Sequence, residues 1–404
     1  MEEKKKLDLV SIASVPLVMT LGNSMLIPIL PVIENKLKIT AFQSSLIITV
    51  YSMIAIILIP FAGYLSDRFG RKKVIIPSLI ITAIGGLISG LAAMLFEQSY
   101  LLILLGRFIQ GIGASGTFPV VLPLIGDMFK EDRKVSSGLG LVETSNTVGK
   151  VLSPIIGAAL ALITWYTPLL AIPVFCLVSL VLVFFLLKVP KQQEEPVPLR
   201  TFFKNIKAIF AKKGRWLYAI FIIGCILMYV LFGVLFYLST ILEENYQIEG
   251  ILKGLILAIP LLTLSLASYI TGKKIGENKL LMKWVTFSGC LLLTCTIFAI
   301  SFSESIYLLV GGLIFSGIGI GMALPCLDTF ITGGVKKEER GTVSSIYSSM
   351  RFIGVALGPP LFAMIMKYSH QTLFLTTAAI CIIASGFALI SIKPKRNYNP
   401  ALSK

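Results

Sequence analysis

Residues 63–73 read GYLSDRFGRKK, a short polar and basic segment between apolar runs at 43–65 and 74–95. A helix needs about 20 mostly apolar residues to cross a bilayer, and each of these runs is long enough. The segment between them is too short to form a domain of its own. The stretch therefore predicts two antiparallel membrane-spanning helices joined by a tight turn.

The residue types at fixed positions in this turn indicate that it is structured. Gly63 allows two helices to approach closely, and Gly70 allows a tight turn. The Asp67 carboxylate is suited to accept hydrogen bonds from Arg71 or from a neighbouring helix N-terminus. A turn that only oriented the chain in a membrane would need basic residues, but not this spacing of Gly and Asp.

Ten further runs of similar composition extend the pattern along the chain. Six runs come first, followed by a polar gap and then by six more, so we expect halves at 1–188 and 216–404 and a linker at 189–215. The twelve runs lie at roughly 8–31, 43–65, 74–95, 99–121, 136–162, 165–187, 216–239, 251–272, 284–303, 306–327, 343–366 and 372–392.

The composition is typical of a membrane protein. Of the 404 residues, 56% are hydrophobic and 14% are charged, whereas soluble domains have about 45–50% and about 25%. The six cysteines lie in apolar runs without a CxxC pair, and His370 is the single histidine, so we expect neither disulfides nor a metal site. The first run exceeds the length of a secretory signal core, and Pro28 and Pro31 interrupt the cleavage region, so we expect a retained span.

The distribution of Lys and Arg explains the formal charge of +16. With the N-terminus in the cytoplasm, 29 of these residues fall on the cytoplasmic side, and 4 fall outside (Lys36, Lys38, Lys253 and Lys367). This bias follows the positive-inside rule and predicts a multi-pass protein of the cell membrane with both termini cytoplasmic. No nucleic-acid partner is needed to explain the charge. In the linker, a stretch near 200–211 is either an amphipathic helix on anionic headgroups or a solvated tether.

Two short segments recur at nearly the same separation in the two halves. GIGASG at 111–116 corresponds to GIGIGM at 317–322, and GKVLSPIIG at 149–157 corresponds to GVALGPPLF at 354–362. Repeats of this kind occur in transporters, whose substrate site lies near the bilayer midplane between the repeats. We therefore expect an all-α membrane protein with twelve transmembrane helices in two pseudo-symmetric six-helix bundles.

Four local segments resemble motifs of the major facilitator superfamily, specifically its twelve-span drug:proton antiporter branch. GYLSDRFGRKK is similar to the signature G-x-L-a-D-r-x-G-r-k-x of that family. The resemblance implies a cytoplasmic latch that holds the outward-open state and is formed by Gly63, Asp67, Gly70 and Arg71. The stretch 272–276 in the second half lacks the aspartate, so we expect one complete latch.

The first and fourth spans carry two further matches. LGNSMLIPILP at 21–31 is similar to l-g-x5-P-v-x-P, whose prolines bend the helix toward the cavity, and we expect Asn23 to line that cavity. RFIQGIG at 107–113 resembles R-x-x-q-G-x-g, whose arginine is implicated in proton transfer in the family. Because a guanidinium inside a membrane is unfavourable, Arg107 should face water or an anionic partner, and a structural ion pair is the alternative.

The fourth match lies in the fifth span. GKVLSPIIGA at 149–158 resembles the exporter motif g-x-x-x-G-P-x-x-G-G, with Ser153 and Ala158 in place of glycines. The eleventh span keeps G-x-x-x-G-P at 354–359. Small residues there permit close helix packing and a pliable kink. We expect this packing role for Gly149, Pro154, Gly157, Gly354, Gly358 and Pro359.

One face of the fifth span carries Glu143, Asn146, Thr147 and Lys150, spaced at i, i+3, i+4 and i+7. Burial disfavours an ionised carboxylate, whereas a nearby cation favours it. We hypothesise that Glu143 is the proton-coupling carboxylate, tuned by Lys150 or Arg107. The alternative is a fixed structural pair between Glu143 and one of these cations.

The eleventh span presents Arg351 at an equivalent place, and we expect Asn146 and Arg351 to line the substrate cavity. Glu143 is the one carboxylate placed well inside the predicted spans, because Asp328 is expected near a helix end. The resulting excess of positive charge favours neutral, zwitterionic or anionic substrates. The cations in this comparison are Arg107, Lys150 and Arg351.

The seventh span carries aromatic residues at helical spacing. Tyr229, Phe232 and Phe236 share one face, where aromatic rings are suited to bind flat apolar substrates. The alternative is that this face packs against neighbouring helices.

These observations together predict a proton-coupled secondary transporter that exports small amphiphilic compounds by alternating access, as multidrug efflux proteins do. The expected energy source is the proton gradient, without cofactor or metal, and the expected partners of a monomer are substrate, H⁺ and lipid bilayer. The chain has neither HExxH nor GxxxxGK[ST], so we do not expect an enzyme. The alternatives are a lipid, glycolipid or endogenous-metabolite exporter, or a solute importer, on the same scaffold.

Overall fold

The computed structural model describes residues 3–128, 132–189, 214–275, 278–334 and 340–392. These ranges are helical without a β-strand and form the twelve expected spans, which confirms the predicted fold class. The linker predicted at 189–215, with the stretch near 200–211, falls almost entirely outside them. In chain order, the spans are Glu3–Ser24 with Ile27–Ile29 and Leu30–Leu37, Ala41–Phe69, Arg71–Leu95, Tyr100–Ser115 with Phe118–Met128, Asp132–Ala161, Thr167–Leu186, Arg215–Glu244, Gly250–Ile275, Lys279–Ile300, Ile306–Gly334, Arg340–Ile365 and His370–Ile390.

Eleven of the described spans are long and apolar enough to cross a membrane. The fifth is the exception, since it carries Glu143, Lys150 and several other polar residues. Large apolar side chains such as Leu101 and Phe185 are exposed on the outside of the molecule. Such a surface is stable where lipid covers it, and the chain is a multi-pass membrane protein.

The first span is interrupted near its end. Pro28 and Pro31 each lie at the start of a new helical segment, where the missing N–H of proline is best tolerated. Pro31 stands four residues after Ile27 and cannot donate the helical hydrogen bond to the Ile27 carbonyl. That carbonyl accepts instead from the Leu30 N–H and, at 3.0 Å, from Ser239 Oγ in the second half. The prolines therefore create a contact between the halves.

The two halves pack by equivalent pairs of spans. The first span packs on the fifth, as the seventh does on the eleventh, and the third packs on the fourth, as the ninth does on the tenth. The halves meet through the second and eleventh spans and, equivalently, through the fifth and eighth. In the former contact, Thr49 Oγ1 donates to the Ala356 carbonyl at 2.8 Å. This arrangement follows from a two-fold pseudo-symmetry between the halves.

The second span runs from one end of the molecule to the other. We call the end with Glu34 and Ser44 the Glu34 end, and the end with Asp67 the Asp67 end. At 1.5 Å per residue, Ser44 and Asp67 lie about 35 Å apart. At the Glu34 end, Gly250 lies against Leu162 of the other half, and a hydrogen bond joins the first and seventh spans. The halves are therefore in contact at the Glu34 end.

Candidate substrate and proton-coupling site

The fifth span presents its polar stripe toward the first span and the second half. Asn146 Nδ2 donates to Glu143 Oε1 at 3.3 Å, and Asn146 Oδ1 accepts from Thr20 Oγ1 of the first span at 2.6 Å. Lys150 is 9% exposed and interacts electrostatically with Glu143. The helical spacing keeps these side chains on one face, so the structure brings together Glu143, Asn146 and Lys150.

The second half places Asp328 and Arg351 opposite this stripe. Arg351 Nη1 lies 3.6 Å from Asp328 Oδ1, and the guanidinium lies 5.6 Å from the centre of the Tyr347 ring. Asp328 and Arg351 both interact electrostatically with Glu143 and with Lys150. Two carboxylates and two cations therefore meet where the halves face each other. A proton added to either carboxylate changes the charge balance of this group.

The expected excess of positive charge inside the spans is wrong. Asp328 lies within the tenth span and pairs with Arg351, so it counts among the intramembrane charges. Glu34 of the first span is also buried. Lys253, assigned by sequence to the outer side, is 1% exposed and is balanced by the buried Glu243. The charges inside the spans therefore give no preference for an anionic substrate.

Arg107 is fully buried and is held by neutral groups. Its Nε donates to the Ile47 carbonyl at 2.8 Å, Nη2 donates to Asn23 Oδ1 at 2.6 Å, and Nη1 donates to Gln110 Oε1. The guanidinium lies 4.4 Å from the centre of the Tyr51 ring. In the described part of the chain, Arg107 is therefore brought together with Asn23 rather than with the carboxylate of the fifth span.

A small cavity lies between the halves beside Lys150 and has room for about one water molecule. Phe232 is the member of the predicted aromatic face that lines it. Tyr229 instead contacts the Phe362 ring edge-on, with centroids 5.6 Å apart, and Phe236 is 1% exposed. The cavity is lined by Ser24, Ile27, Lys150, Ser153, Pro154, Leu231, Phe232, Leu235, Leu257 and Leu261.

The residues of the predicted latch form a connected group at the Asp67 end. Arg71 pairs with Asp67 and, through Nε at 3.0 Å, with Asp127 Oδ2 at the end of the fourth span. Its Nη1 also donates to Ser66 Oγ at 2.6 Å. Gly70 joins the two helices with φ of 102°, a conformation that L side chains rarely adopt. Sequence reasoning missed Asp127, because the predicted fourth span ended at 121, whereas its last helix continues to Met128.

The glycines of the fifth and eleventh spans lie against the backbone of neighbouring helices. A Cβ added to Gly149 would lie 3.2 Å from a carbonyl oxygen of the first span, and one added to Gly157 would overlap such an oxygen. In the second half, a Cβ added to Gly358 would lie 2.7 Å from a carbonyl oxygen of the seventh span, and Gly354 is closer still. The same close approach thus occurs in both halves.

Three other predicted residues lie at contacts between halves or within helices. A Cβ added to Gly63 would lie 3.0 Å from Ser345 Oγ of the eleventh span, so the second and eleventh spans approach closely there. The Pro154 carbonyl lies against Gly254 of the eighth span. Pro359 lies inside the eleventh helix.

A second group of polar residues, which sequence reasoning missed, lies at the Glu34 end. Lys253 Nζ donates to Glu243 Oε2 at 2.6 Å, and Ser44 Oγ donates to Glu34 Oε1 at 2.5 Å. The lysine lies in the first turn of the eighth helix, where a hydropathy pattern does not distinguish it from a loop residue. The signal available was the separation of ten residues between the partners in both halves.

The single histidine is held by two hydrogen bonds, and the cysteines form no disulfide. His370 Nε2 donates to the Ile300 carbonyl at 2.8 Å, and its Nδ1 accepts from Tyr237 Oη at 2.6 Å. All six cysteines are free. Among the described residues, no group of three His, Cys, Asp or Glu side chains is arranged to hold a metal ion.

Comparison with known proteins gives relatives over nearly the whole chain. The sequence is 53% identical over 391 residues to the bacillibactin exporter of Bacillus subtilis, covering 96% of this chain and 97% of that protein. It is 25% identical to the multidrug resistance protein MdtG of Enterobacter lignolyticus, covering 92% and 88%. It is 26% identical to the class H tetracycline resistance protein of Pasteurella multocida, covering 86% of each.

Solved structures and a family model agree with these relatives. A D-xylose–proton symporter superposes with a TM-score of 0.78 at 14% identity, covering 97% of this chain and 98% of that one. The model of the Major Facilitator Superfamily matches residues 12–359 and 282–404. The members of this family are transporters and not enzymes. The fold, the sequence relatives and the family model together identify the chain as a member of the Major Facilitator Superfamily.

Proposed function

We propose that this protein exports bacillibactin, or a closely similar small amphiphilic molecule, from the cytoplasm in exchange for protons. The observation that carries this proposal is the 53% identity to the bacillibactin exporter over almost the full length of both proteins. The two halves alternate in opening toward either side of the membrane. The proton gradient supplies the energy, and no cofactor takes part.

The proton-coupling step is assigned to the charged group between the halves. Glu143 and Lys150 belong to the first half, and Asp328 and Arg351 belong to the second. Movement of the halves changes the distance of Glu143 from both Asp328 and Arg351 of the second half. In the proposed cycle Glu143 binds a proton in one arrangement of the halves and releases it in the other. Arg107 has the proton-transfer role that the family resemblance implies.

The substrate is proposed to enter where the small cavity lies. Lys150 and Phe232 already line that cavity and offer one cation and one aromatic ring. Because the space admits about one water molecule, a substrate requires the halves to separate. The remaining residues proposed to line the enlarged cavity are Asn23, Asn146, Arg351, Tyr229 and Phe236.

The Asp67 end is proposed to face the cytoplasm. The basic segment at 68–73 lies at this end, and positive loops remain on the cytoplasmic side. Both chain termini are then cytoplasmic, and the protein is placed in the cell membrane as a monomer. The pairs of Arg71 with Asp67 and Asp127 act as the latch that holds the outward-open state.

A broader multidrug exporter is the second candidate. The similarity to MdtG and to the tetracycline resistance protein favours it, at about half the identity of the first relative. The two candidates differ in selectivity, because a multidrug exporter would transport unrelated amphiphiles at rates comparable with that of bacillibactin.

The test is uptake into sealed vesicles that contain the purified protein. A pH gradient is imposed, and bacillibactin is compared with a panel of cationic, neutral and anionic amphiphiles. We expect gradient-driven accumulation of bacillibactin, loss of this accumulation in Glu143→Gln, and retention in Glu97→Gln, which changes an exposed loop carboxylate. Solute passage that is indifferent to the pH gradient would overturn proton coupling. Full coupling in Glu143→Gln would remove that residue from the mechanism.

A further inference from the structure

Two carboxylates occupy equivalent positions at the Glu34 end of the two halves. Glu34 lies near the end of the first span and accepts from Ser44, ten residues later in the second span. Glu243 lies at the end of the seventh span and accepts from Lys253, ten residues later in the eighth span. The geometry is repeated, but the donor is a neutral hydroxyl in one half and an ammonium in the other.

The difference in donor matters because these groups are buried. Glu34 is 9% exposed, Glu243 is 8% exposed and Lys253 is 1% exposed. The Glu243 carboxylate is neutralised by a direct ion pair with Lys253 at 2.6 Å. The Glu34 carboxylate receives a hydrogen bond at 2.5 Å from Ser44, which brings no charge. Of the two, Glu34 is the carboxyl that forms no direct ion pair with a cation of the described residues.

Glu34 also faces the charges of the other half. Glu243 and Glu244 of the seventh span and Lys253 of the eighth span interact electrostatically with it. Lys36, which lies on the same short helix as Glu34, is exposed. Closure of this end therefore brings one buried ammonium against two buried carboxylates and the exposed Glu244.

Protonation of Glu34 changes the electrostatic repulsion between the two halves at this end. Like charges in a poorly solvated place repel, and the repulsion disappears when one of the carboxylates is protonated. A protonated Glu34 still forms a hydrogen bond with Ser44. An ionised Glu34 instead opposes the contact with Glu243 and Glu244, so it favours separation of the halves at this end.

We propose that Glu34 is a second proton-binding carboxyl of the transport cycle, which permits closure of the Glu34 end when protonated and opens it when ionised. The proton leaves the Glu34 carboxyl for water on that side of the membrane, and no other bond changes. Glu243 keeps its ion pair with Lys253. The inference rests on the proton exchange and alternating access proposed above. It adds a proton site beside Ser44, which lies about 35 Å from Asp67 at the other end of the second span.

The test measures the distance between the two halves without any substrate. Spin labels are placed on Gln98→Cys and Ser305→Cys, in exposed loops at the Glu34 end of the first and second halves, after the six native cysteines are replaced. Double electron–electron resonance is recorded in lipid nanodiscs from about pH 5 to about pH 8, the range over which the proposal requires Glu34 to titrate. We expect the distance to lengthen as the pH rises.

Three variants separate Glu34 from other causes. Glu34→Gln mimics the protonated carboxyl and should keep the short distance at every pH. Ser44→Ala keeps the carboxyl but removes a hydrogen bond that favours its ionised form, so its transition should move to higher pH. Glu97→Gln, which changes an exposed loop carboxylate outside both charged groups, should retain the pH-dependent change at this end.

Each result decides the proposal. A pH-dependent distance in Glu34→Gln equal to that of the unsubstituted chain would overturn it, and so would a distance that does not change with pH in the unsubstituted chain. Vesicle uptake that ignores the pH gradient, combined with a distance that depends on Glu34, would refute the proposed coupling and leave this gate intact.

Discussion

Arg71 Nε lies 3.0 Å from Asp127 Oδ2, so the turn after the second span is tied to the end of the fourth span. Asp127 and Asp67 are each about half exposed, and an ion pair of this kind contributes about 0.2–1 kcal/mol. We expect Asp127→Asn to lower the initial rate of gradient-driven transport by less than about fivefold. Arg71→Ala removes both pairs and should have the larger effect.

The control for the latch is Arg68→Ala, which removes a neighbouring basic residue whose guanidinium lies over the Phe69 ring. Its transport rate should remain close to that of the unsubstituted protein. Equal rates in Arg71→Ala and Arg68→Ala would contradict a special role of Arg71.

Substitution of Gly354 by alanine should destabilise the second half. The added Cβ would overlap the backbone of the seventh span, and overpacking of this kind costs about 1–3 kcal/mol. Gly386→Ala in the twelfth span is the matched control, because nothing lies within 4 Å of its added Cβ. Thermal unfolding in detergent should show a lower midpoint for the first variant and an equal or higher midpoint for the second. Equal midpoints would show that the close approach is not required.

Arg107→Lys should impair both stability and transport although the charge is retained. One ammonium cannot reproduce the fork geometry that satisfies Asn23, Ile47 and Gln110 together. Each buried acceptor left without a donor costs about 1–3 kcal/mol. A thermal midpoint and an uptake rate that both match those of the unsubstituted protein would show that these three hydrogen bonds of Arg107 are not required.

The Glu243–Lys253 pair should show strong energetic coupling. Removal of one partner leaves a buried, unpaired charge, which costs about 3–5 kcal/mol, whereas removal of both leaves none. Unfolding free energies of Glu243→Gln, Lys253→Met and the double variant give the coupling directly. We expect the double variant to lose less stability than the sum of the two single losses. Additive losses would indicate that the two side chains do not interact in the folded protein.

The sequence was sufficient for the fold because the bilayer imposes one requirement on every span. A mostly apolar run of about 20 residues predicts a helix regardless of what packs beside it, and a helix is found at each of the twelve predicted places, including the more polar fifth. The turn around Gly70 was also predicted, since its glycine and acidic residues act within a few residues of one another. Local chemistry of this kind is visible in a single segment.

The sequence was not sufficient for the charged groups, because their partners lie on other spans. Lys253 looks like a loop lysine until the fold buries it against Glu243. Asp328 looks like a residue near a helix end until Arg351 is placed beside it. A count of charges by position therefore predicted an excess that tertiary contacts remove.

The hydrogen bond from Ser239 involves the main-chain carbonyl of Ile27 and not its side chain. The acceptor belongs to the main chain, and proline at position 31 leaves it available whatever side chain residue 27 carries. Position 27 also borders the small cavity between the halves. A relative of this protein can therefore carry a different side chain at position 27, which changes the shape of the cavity, and still form the hydrogen bond that joins the two halves.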